Sequence, residues 1–221
     1  MVSSLLVYAG VAFVTCVTPG AGVLYTVSNA FRYGRGNAWR SPLGNAVGVA
    51  AMSAVSATGL GALVATSPVL LAALEAVGAS VLIWFGWRSW HAPVLDVMRV
   101  GGVAAGSQDS SAAFAAGVRH ILPSAALLQV TNPMLIVFLL SFMPPFIDRD
   151  AAYAPQAAML SALFVLICLA VHLVYSYAAC TVGGRLKGAA LSFWLNRISA
   201  VLFWLCAAGV IASIVRDVGV L

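Results

Sequence analysis

The chain alternates long apolar segments with short polar ones, and six apolar segments are long enough to cross a membrane. A helix needs about 20 residues to span a hydrocarbon core about 30 Å thick. The six segments run from Ser3 to Ala30, Pro42 to Ala65, Val69 to Trp87, Ile121 to Ile147, Tyr153 to Val182 and Leu191 to Val215. Barrel strands would instead alternate apolar and polar residues over about ten positions. The pattern predicts an all-α integral membrane protein with six transmembrane helices.

The composition supports a membrane protein. Of the 221 residues, 62% are hydrophobic and only 8% are charged, whereas soluble domains carry roughly 25% charged residues. The formal net charge of +5 comes from basic residues in short loops, so it does not indicate a nucleic-acid partner. All four cysteines fall inside apolar segments, which argues against a disulfide framework.

The basic residues also predict an orientation. Nine of the eleven lie in or beside the loops after the first, third and fifth segments: Arg32, Arg35, Arg40, Arg88, Arg99, Arg119, Arg185, Lys187 and Arg197. Only Arg149 and Arg216 lie on the other side. Cytoplasmic loops carry an excess of Lys and Arg. We therefore expect these three loops to be cytoplasmic and both termini to face outward.

The chain reads as one membrane transport domain, 1–221, made of two halves. Repeat one covers about 1–90, a polar cytoplasmic linker about 91–113, and repeat two about 114–221. Thr18-Pro19-Gly20 interrupts the first segment and Thr131-Asn132-Pro133 the fourth. Because each half has three segments, the second half enters the membrane inverted. Matching breaks in inverted halves indicate the binding site of a secondary transporter.

The breaks themselves indicate a polar ligand. Non-helical backbone at membrane depth is tolerated only where it is buried in protein or lines a cavity. Pro19 and Gly20 would free N–H and C=O groups within the bilayer, and each such group left unpaired in lipid costs several kcal/mol. A solute or water is the natural partner for them.

Three stretches carry a family pattern: TPGAGVLYTVSNAFRYGRGNAWRSPLGNAVG (Thr18 to Gly48), SPVLLAALEAVGASVLIWFGWRSW (Ser67 to Trp90) and TNPMLIVFLLSFMPPFID (Thr131 to Asp148). Together they resemble the LysE/RhtB family of bacterial amino-acid exporters, in the family's order and spacing. The resemblance implies a six-helix carrier of the inner membrane that expels amino acids, driven by an ion gradient. It thus implies a small amino-acid substrate, protons as the coupling ion, alternating access and no cofactor.

The chain departs from the family pattern at two places. The first motif is usually Pro-Gly-Pro-Asn, but here Ala21 and Gly22 take the last two positions. The second is usually Asn-Pro-Lys, but here Met134 replaces the lysine. Both missing groups are polar, so the contacts to the substrate need not match those of other members.

The candidate substrate-binding residues cluster at the two breaks and in the second segment: Thr18, Pro19, Gly20, Gly22, Asn45, Thr131, Asn132 and Pro133. Free N–H groups at the start of a half-helix would suit a substrate carboxylate, although small residues also simply allow close helix packing. An asparagine amide could hold an ammonium or cap its own backbone. A threonine hydroxyl in a membrane helix usually bonds its own i−4 carbonyl.

Glu75 and His172 are the candidates for ion coupling. Glu75 is the only acid well inside a predicted span, where a carboxylate is expensive and usually functional; the alternative is a place at the outer interface. His172 lies in the middle of the fifth segment and titrates near neutral pH, but it could equally be a neutral histidine bonded to a neighbouring helix.

Other function classes fit less well. An intramembrane enzyme would need clustered groups such as His-Glu-x-x-His, and the three histidines are isolated. A thiol electron carrier would need two cysteines that meet. A cation carrier would need several carboxylates, histidines or thiolates together; a carrier of a different small solute or cation stays the alternative. The small-residue face from Gly44 to Gly48 could support a homodimer.

Overall fold

The computed structural model is all-helical in the part it describes, which comprises residues 2–66, 68–92, 111–132, 135, 138–139, 142–148, 151–182 and 188–218. Seven α-helices have bounds within the described residues: α1 (Val2–Val17), α2 (Ala21–Tyr33), α3 (Arg40–Thr66), α4 (Pro68–Trp90), α5 (Ser111–Val130), α6 (Tyr153–Val182) and α7 (Gly188–Val218). Two 3₁₀ turns lie at Arg35–Asn37 and Pro144–Phe146. The prediction of an all-α fold is confirmed.

The ends of the helices follow local chemistry. Pro68 opens α4, where its missing N–H costs nothing. The amide of Gln156 fixes the approach to α6, because its Oε1 accepts from Asp148 N at 2.8 Å and its Nε2 donates to Asp148 O at 2.9 Å. The bounds of α6 match the predicted span. Helix α5 begins at Ser111, ten residues before the predicted start of the fourth span, so it includes the end of the predicted linker.

Two stretches, Tyr153–Thr181 and Phe193–Ala212, are long and apolar enough to cross a membrane. The bent pair Leu5–Val17 and Ala21–Tyr33 passes the same test jointly, with 56° between its two helices. These three come from a search restricted to the described residues.

Close helix contacts depend on glycine at α3 and α4. A methyl group at Gly44 would collide with the carbonyl of Leu122 on α5, and one at Gly48 would lie 2.6 Å from the carbonyl of Ala126. Gly86 likewise has no side chain and leaves room for the indole of Trp204, so that α4 packs along α7. The small-residue face predicted for a homodimer therefore packs against α5 of the same chain.

An aromatic cluster fills one end of the core. Tyr8 stacks on Phe142 with ring centroids 5.6 Å apart and meets Phe146 edge-on. Phe138 contacts both Phe142 and Phe164. We call these five residues the aromatic cluster; all but Phe146 are fully buried.

Candidate functional site

The first break is present where the sequence predicts it. Helix α1 ends at Val17, α2 begins at Ala21, and the chain turns by 56° between them. Gly20 has an extended backbone, with φ −141° and ψ −171°. Proline supplies no N–H, so the helix cannot continue through Pro19 without losing a bond. The ends of two helices therefore meet at this break.

Two carbonyls at the end of α1 accept hydrogen bonds from side chains. The hydroxyl of Tyr175 on α6 donates to Val17 O at 2.8 Å. The Thr18 hydroxyl lies 2.7 Å from Val14 O and 2.8 Å from Ser199 Oγ on α7. A carbonyl can only accept, so Thr18 donates to Val14 and accepts from Ser199. These bonds hold the end of α1 between α6 and α7.

The N–H groups of the break lie at the start of α2, which no side chain caps. The first helical bond of α2 runs from Leu24 N to Gly20 O at 2.9 Å. The N–H groups of Ala21, Gly22 and Val23 precede that bond, and the helix start carries no side-chain cap. Such a helix start is an electropositive site suited to an anion.

A cavity of about 590 Å³ lies at the break. Its volume is within the range of roughly 300–1,000 Å³ typical of small-molecule sites. The walls come from both sides of the break and from the helices around it: Thr15, Cys16, Thr18, Pro19, Gly20, Ala21, Gly22, Val23, Val49, Val81, Trp84, Phe85, Arg88, Ser89, Ala92, Gln129, Asn132, Leu135, Phe164, Cys168, His172 and Asn196. The cavity thus joins the first break to Asn132 of the second.

Gly22 lies where three polar side chains converge. A Cβ atom built on it would be 2.9 Å from Gln129 Nε2, 3.3 Å from His172 Nε2 and 3.7 Å from Asn45 Oδ1. These atoms come from α5, α6 and α3. The family pattern usually has asparagine at this position; in this chain, side chains from three other helices lie beside the glycine instead.

His172 and Asn45 are both buried in this group. His172 Nδ1 lies 2.9 Å from Cys168 O and 3.5 Å from Cys168 Sγ. Because the carbonyl can only accept, Nδ1 carries a proton; Nε2 beside Gly22 is then an acceptor in the neutral ring and a donor in the protonated ring. Asn45 Nδ2 donates to Thr26 Oγ1 at 3.0 Å, while its Oδ1 has no hydrogen-bond partner among the described residues.

The structure brings most of the predicted residues together. Thr18, Pro19, Gly20, Gly22, Asn132 and His172 all line the cavity. Asn45 lies behind Gly22. Thr131 does not line the cavity; it is exposed, and its hydroxyl donates to Leu127 O of its own helix at 2.8 Å. Pro133 lies outside the described residues, as does the side chain of Glu75.

The polar residues that line the cavity and were not predicted include Gln129, Asn196 and Cys168. Gln129 lies one turn before Asn132, and its Oε1 accepts from Asn132 Nδ2 at 3.3 Å. Asn196 on α7 is buried and lines the cavity. Cys168 lines it one turn before His172. An amide inside an apolar segment was a usable signal for Gln129, whereas Asn196 adjoins Arg197 near the start of the sixth predicted segment.

Comparison with known proteins identifies the family of this chain. The model of the LysE type translocator family matches residues 13–213, nearly the whole chain. The chain belongs to the LysE translocator family. The resemblance seen in the sequence is therefore confirmed, and the family makes this a membrane transport protein. No solved structure matches the chain.

Individual relatives are distant but cover most of the chain. An uncharacterized membrane protein of Vibrio cholerae is 28% identical over 201 residues, which is 91% of this chain and 93% of the relative. A homoserine/homoserine lactone efflux protein of Salmonella typhi is 26% identical over 87% of this chain and 88% of the relative. A leucine efflux protein of an Enterobacter species is 28% identical over 63% of this chain and 62% of the relative.

Proposed function

We propose that the protein exports amino acids, or closely related small zwitterions, from the cytoplasm across the bacterial inner membrane. The observation that carries this proposal is the cavity at the first break, which joins the uncapped start of α2 to amide groups on other helices. Membership in a translocator family and the efflux names of two relatives support it. A carrier of another small solute on the same fold is the alternative.

The substrate carboxylate binds at the start of α2. The N–H groups of Ala21 and Gly22 are its hydrogen-bond donors, and the positive end of the helix dipole adds to the attraction. The amide of Gln129, close to Gly22, is a further donor in the same place. Asn132, which also lines the cavity, lies near the substrate ammonium.

The six-span inverted repeat accounts for access to this site. On the orientation expected from the basic loops, α4 ends at the cytoplasmic side, and the cavity reaches Arg88, Ser89 and Ala92 at that end. Tyr8 of the aromatic cluster precedes the break by nine residues on α1. The cavity therefore faces the cytoplasm, and the aromatic cluster closes the outward path.

Export then requires the two halves to move around the site. Outward opening separates Tyr8 from Phe142 and Phe146, while the cytoplasmic mouth closes. His172 is the proposed proton-coupling group, because its Nε2 lies at Gly22 beside the substrate. The other titratable or charged groups that line the same cavity are Cys16, Cys168 and Arg88.

The test is efflux from cells loaded with a panel of labelled amino acids. The expressed protein should accelerate the loss of one or a few of them. Gly20→Leu, which adds a bulky side chain at a residue that lines the cavity, and Asn132→Ala should abolish or strongly reduce that loss. Gly10→Leu is the matched control, because Gly10 lies exposed on α1 with open space around its Cβ position, and its export should equal that of the original protein.

Two results would contradict the proposal. Absence of accelerated efflux for every amino acid tested would remove the amino-acid function and favour the alternative solute. Normal efflux by Gly20→Leu, at the same amount of protein in the membrane as Gly10→Leu, would show that transport does not depend on this cavity.

A further inference from the structure

Two cysteines that the proposed transport mechanism does not use lie against each other in the wall of the cavity. Cys16 on α1 and Cys168 on α6 both line it, and their thiols are within hydrogen-bonding range of each other. Both are free thiols. The two helices pack side by side, and both cysteines belong to one apolar cluster. A single buried cysteine usually acts as a small apolar residue, but two thiols in contact can also form a covalent bond.

The surroundings of the pair suit thiol chemistry. The Nδ1 of His172 donates to Cys168 O at 2.9 Å and lies 3.5 Å from Cys168 Sγ. The thiolate is the form of cysteine that attacks another sulfur, and a ring N–H at this distance can donate to it. Cys16 is the more exposed of the two, at 7% against 1%. Cys16 is therefore better placed to meet an oxidant, and Cys168 to attack the oxidised sulfur.

Metal binding fits this pair less well than redox chemistry. In the part of the chain that the structure describes, no group of three or more His, Cys, Asp or Glu side chains is arranged to hold a metal ion. A disulfide needs only two sulfurs, which must approach to about 2.05 Å. Thiols within hydrogen-bonding range reach that distance by small movements.

The pair also spans the two halves that must move during export. Cys16 belongs to repeat one and Cys168 to repeat two. The hydrogen bond from the Tyr175 hydroxyl to Val17 O joins the same two helices, but a hydrogen bond can break and form again in each transport cycle. A disulfide at the cavity wall would hold α1 and α6 together until it is reduced.

We infer that Cys16 and Cys168 are an oxidant-sensitive pair whose disulfide joins α1 to α6 and stops transport. Hydrogen peroxide is the oxidant: it transfers one oxygen atom to the Cys16 thiol, which gives a sulfenic acid and one molecule of water. The Cys168 sulfur then attacks the Cys16 sulfur, so that the S–S bond forms and the S–O bond breaks. The hydroxide that leaves takes up the proton of the Cys168 thiol and becomes the second molecule of water. The effect on transport rests on the proposed function, whereas formation of the disulfide does not.

The test of the disulfide is thiol mapping on the full-length protein in membranes. The membranes are exposed briefly to hydrogen peroxide, the remaining thiols are blocked with N-ethylmaleimide in denaturant, and linked peptides are identified by mass spectrometry. The expected product joins the peptide of Cys16 to that of Cys168 and disappears after treatment with dithiothreitol. Cys180 and Cys206, which do not line the cavity, should react with the maleimide whether or not peroxide was added.

The test of the effect on transport is efflux from cells loaded with the panel of labelled amino acids, before and after the same exposure to peroxide. Peroxide should slow export by the original protein several-fold, and dithiothreitol should restore it. In Cys16→Ala/Cys168→Ala, peroxide should leave export at the rate of the same variant without peroxide. Cys180→Ala/Cys206→Ala is the matched control, because it removes the other two cysteines and should keep the full response.

The outcomes separate this inference from the proposed function. Absence of the linked peptide after peroxide treatment would overturn the pairing of the two cysteines. A linked peptide with export unchanged, or an equal peroxide response without Cys16 and Cys168, would overturn the effect on transport and leave the proposed function standing. No efflux of any amino acid by the untreated protein would overturn the proposed function and the effect on transport together, while the peptide map would still decide the disulfide.

Discussion

Replacing Gly22 by alanine places a methyl group where three polar side chains meet. The new Cβ would lie 2.9 Å from Gln129 Nε2 and 3.3 Å from His172 Nε2. Ordinary contacts of a Cβ begin near 3.4 Å, so the Gln129 amide must move by about 0.5 Å and the histidine by about 0.1 Å. The long Gln129 side chain can move at little cost to folding, but its amide then leaves the position beside the start of α2.

A displacement of about 0.5 Å is the limit within which binding groups keep a productive geometry. Loss of one hydrogen bond to a charged group costs roughly 1.5–3 kcal/mol, which corresponds to a factor of about 10 to 150 in affinity. We therefore expect Gly22→Ala to reduce export at subsaturating substrate by at least about tenfold. Its melting temperature should stay within a few degrees of the original value.

Gly20→Ala is the matched comparison. A Cβ at Gly20 would meet only Thr18 O, at 3.9 Å, and the extended backbone there accepts any residue. We expect this variant to export at a rate within about twofold of the original, since nothing has to move. Equal export by both alanine variants, at equal amounts in the membrane, would refute the assignment of Gln129 and the start of α2 to the substrate.

Three further variants test separate parts of the structure. Tyr175→Phe removes the bond to Val17 O and should destabilise the protein by about 1 kcal/mol, a drop of roughly 2–4 °C in a thermal-shift assay; an unchanged melting temperature would contradict that role. Gly86→Ala should destabilise it by about 1–3 kcal/mol, because the methyl group meets the Trp204 indole, and a Trp204→Phe background should relieve part of the loss. His172→Gln should remove the dependence of efflux on external pH. Efflux that still depends on external pH in this variant would show that another group couples the proton.

The break in the first span could be predicted because its cause is local. Whereas Pro123 alone lies inside α5, Pro19 followed directly by Gly20 favours an interruption, because proline lacks the helical N–H and glycine adds backbone freedom. The same holds for the end of α5 beside Thr131 and Asn132. By contrast, whether a polar residue faces the cavity depends on how the helices pack. The adjacent residues Thr131 and Asn132 show this: the Thr131 hydroxyl bonds a carbonyl of its own helix, whereas Asn132 lines the cavity.

The contribution of α7 could not be predicted from the sequence. Asn196 and Ser199 face the break only because α7 packs along α4, with Gly86 admitting the Trp204 indole. No local pattern around Asn196 indicates this contact. Likewise, Gln129, His172 and Asn45 converge on Gly22 from three helices. Only these neighbours show why a residue without a side chain fits at this position.

The most direct test of the central claim, that an amino acid binds in the cavity at the first break, uses a native cysteine. Cys16 lines the cavity three residues before Pro19, whereas Cys180 does not line it. Variants that retain only one of these two cysteines would be labelled with a small methanethiosulfonate reagent in membranes, with and without the amino acid identified by efflux. The account predicts that substrate slows labelling of Cys16 several-fold and leaves Cys180 unaffected. Labelling of Cys16 at the same rate under saturating substrate would contradict it.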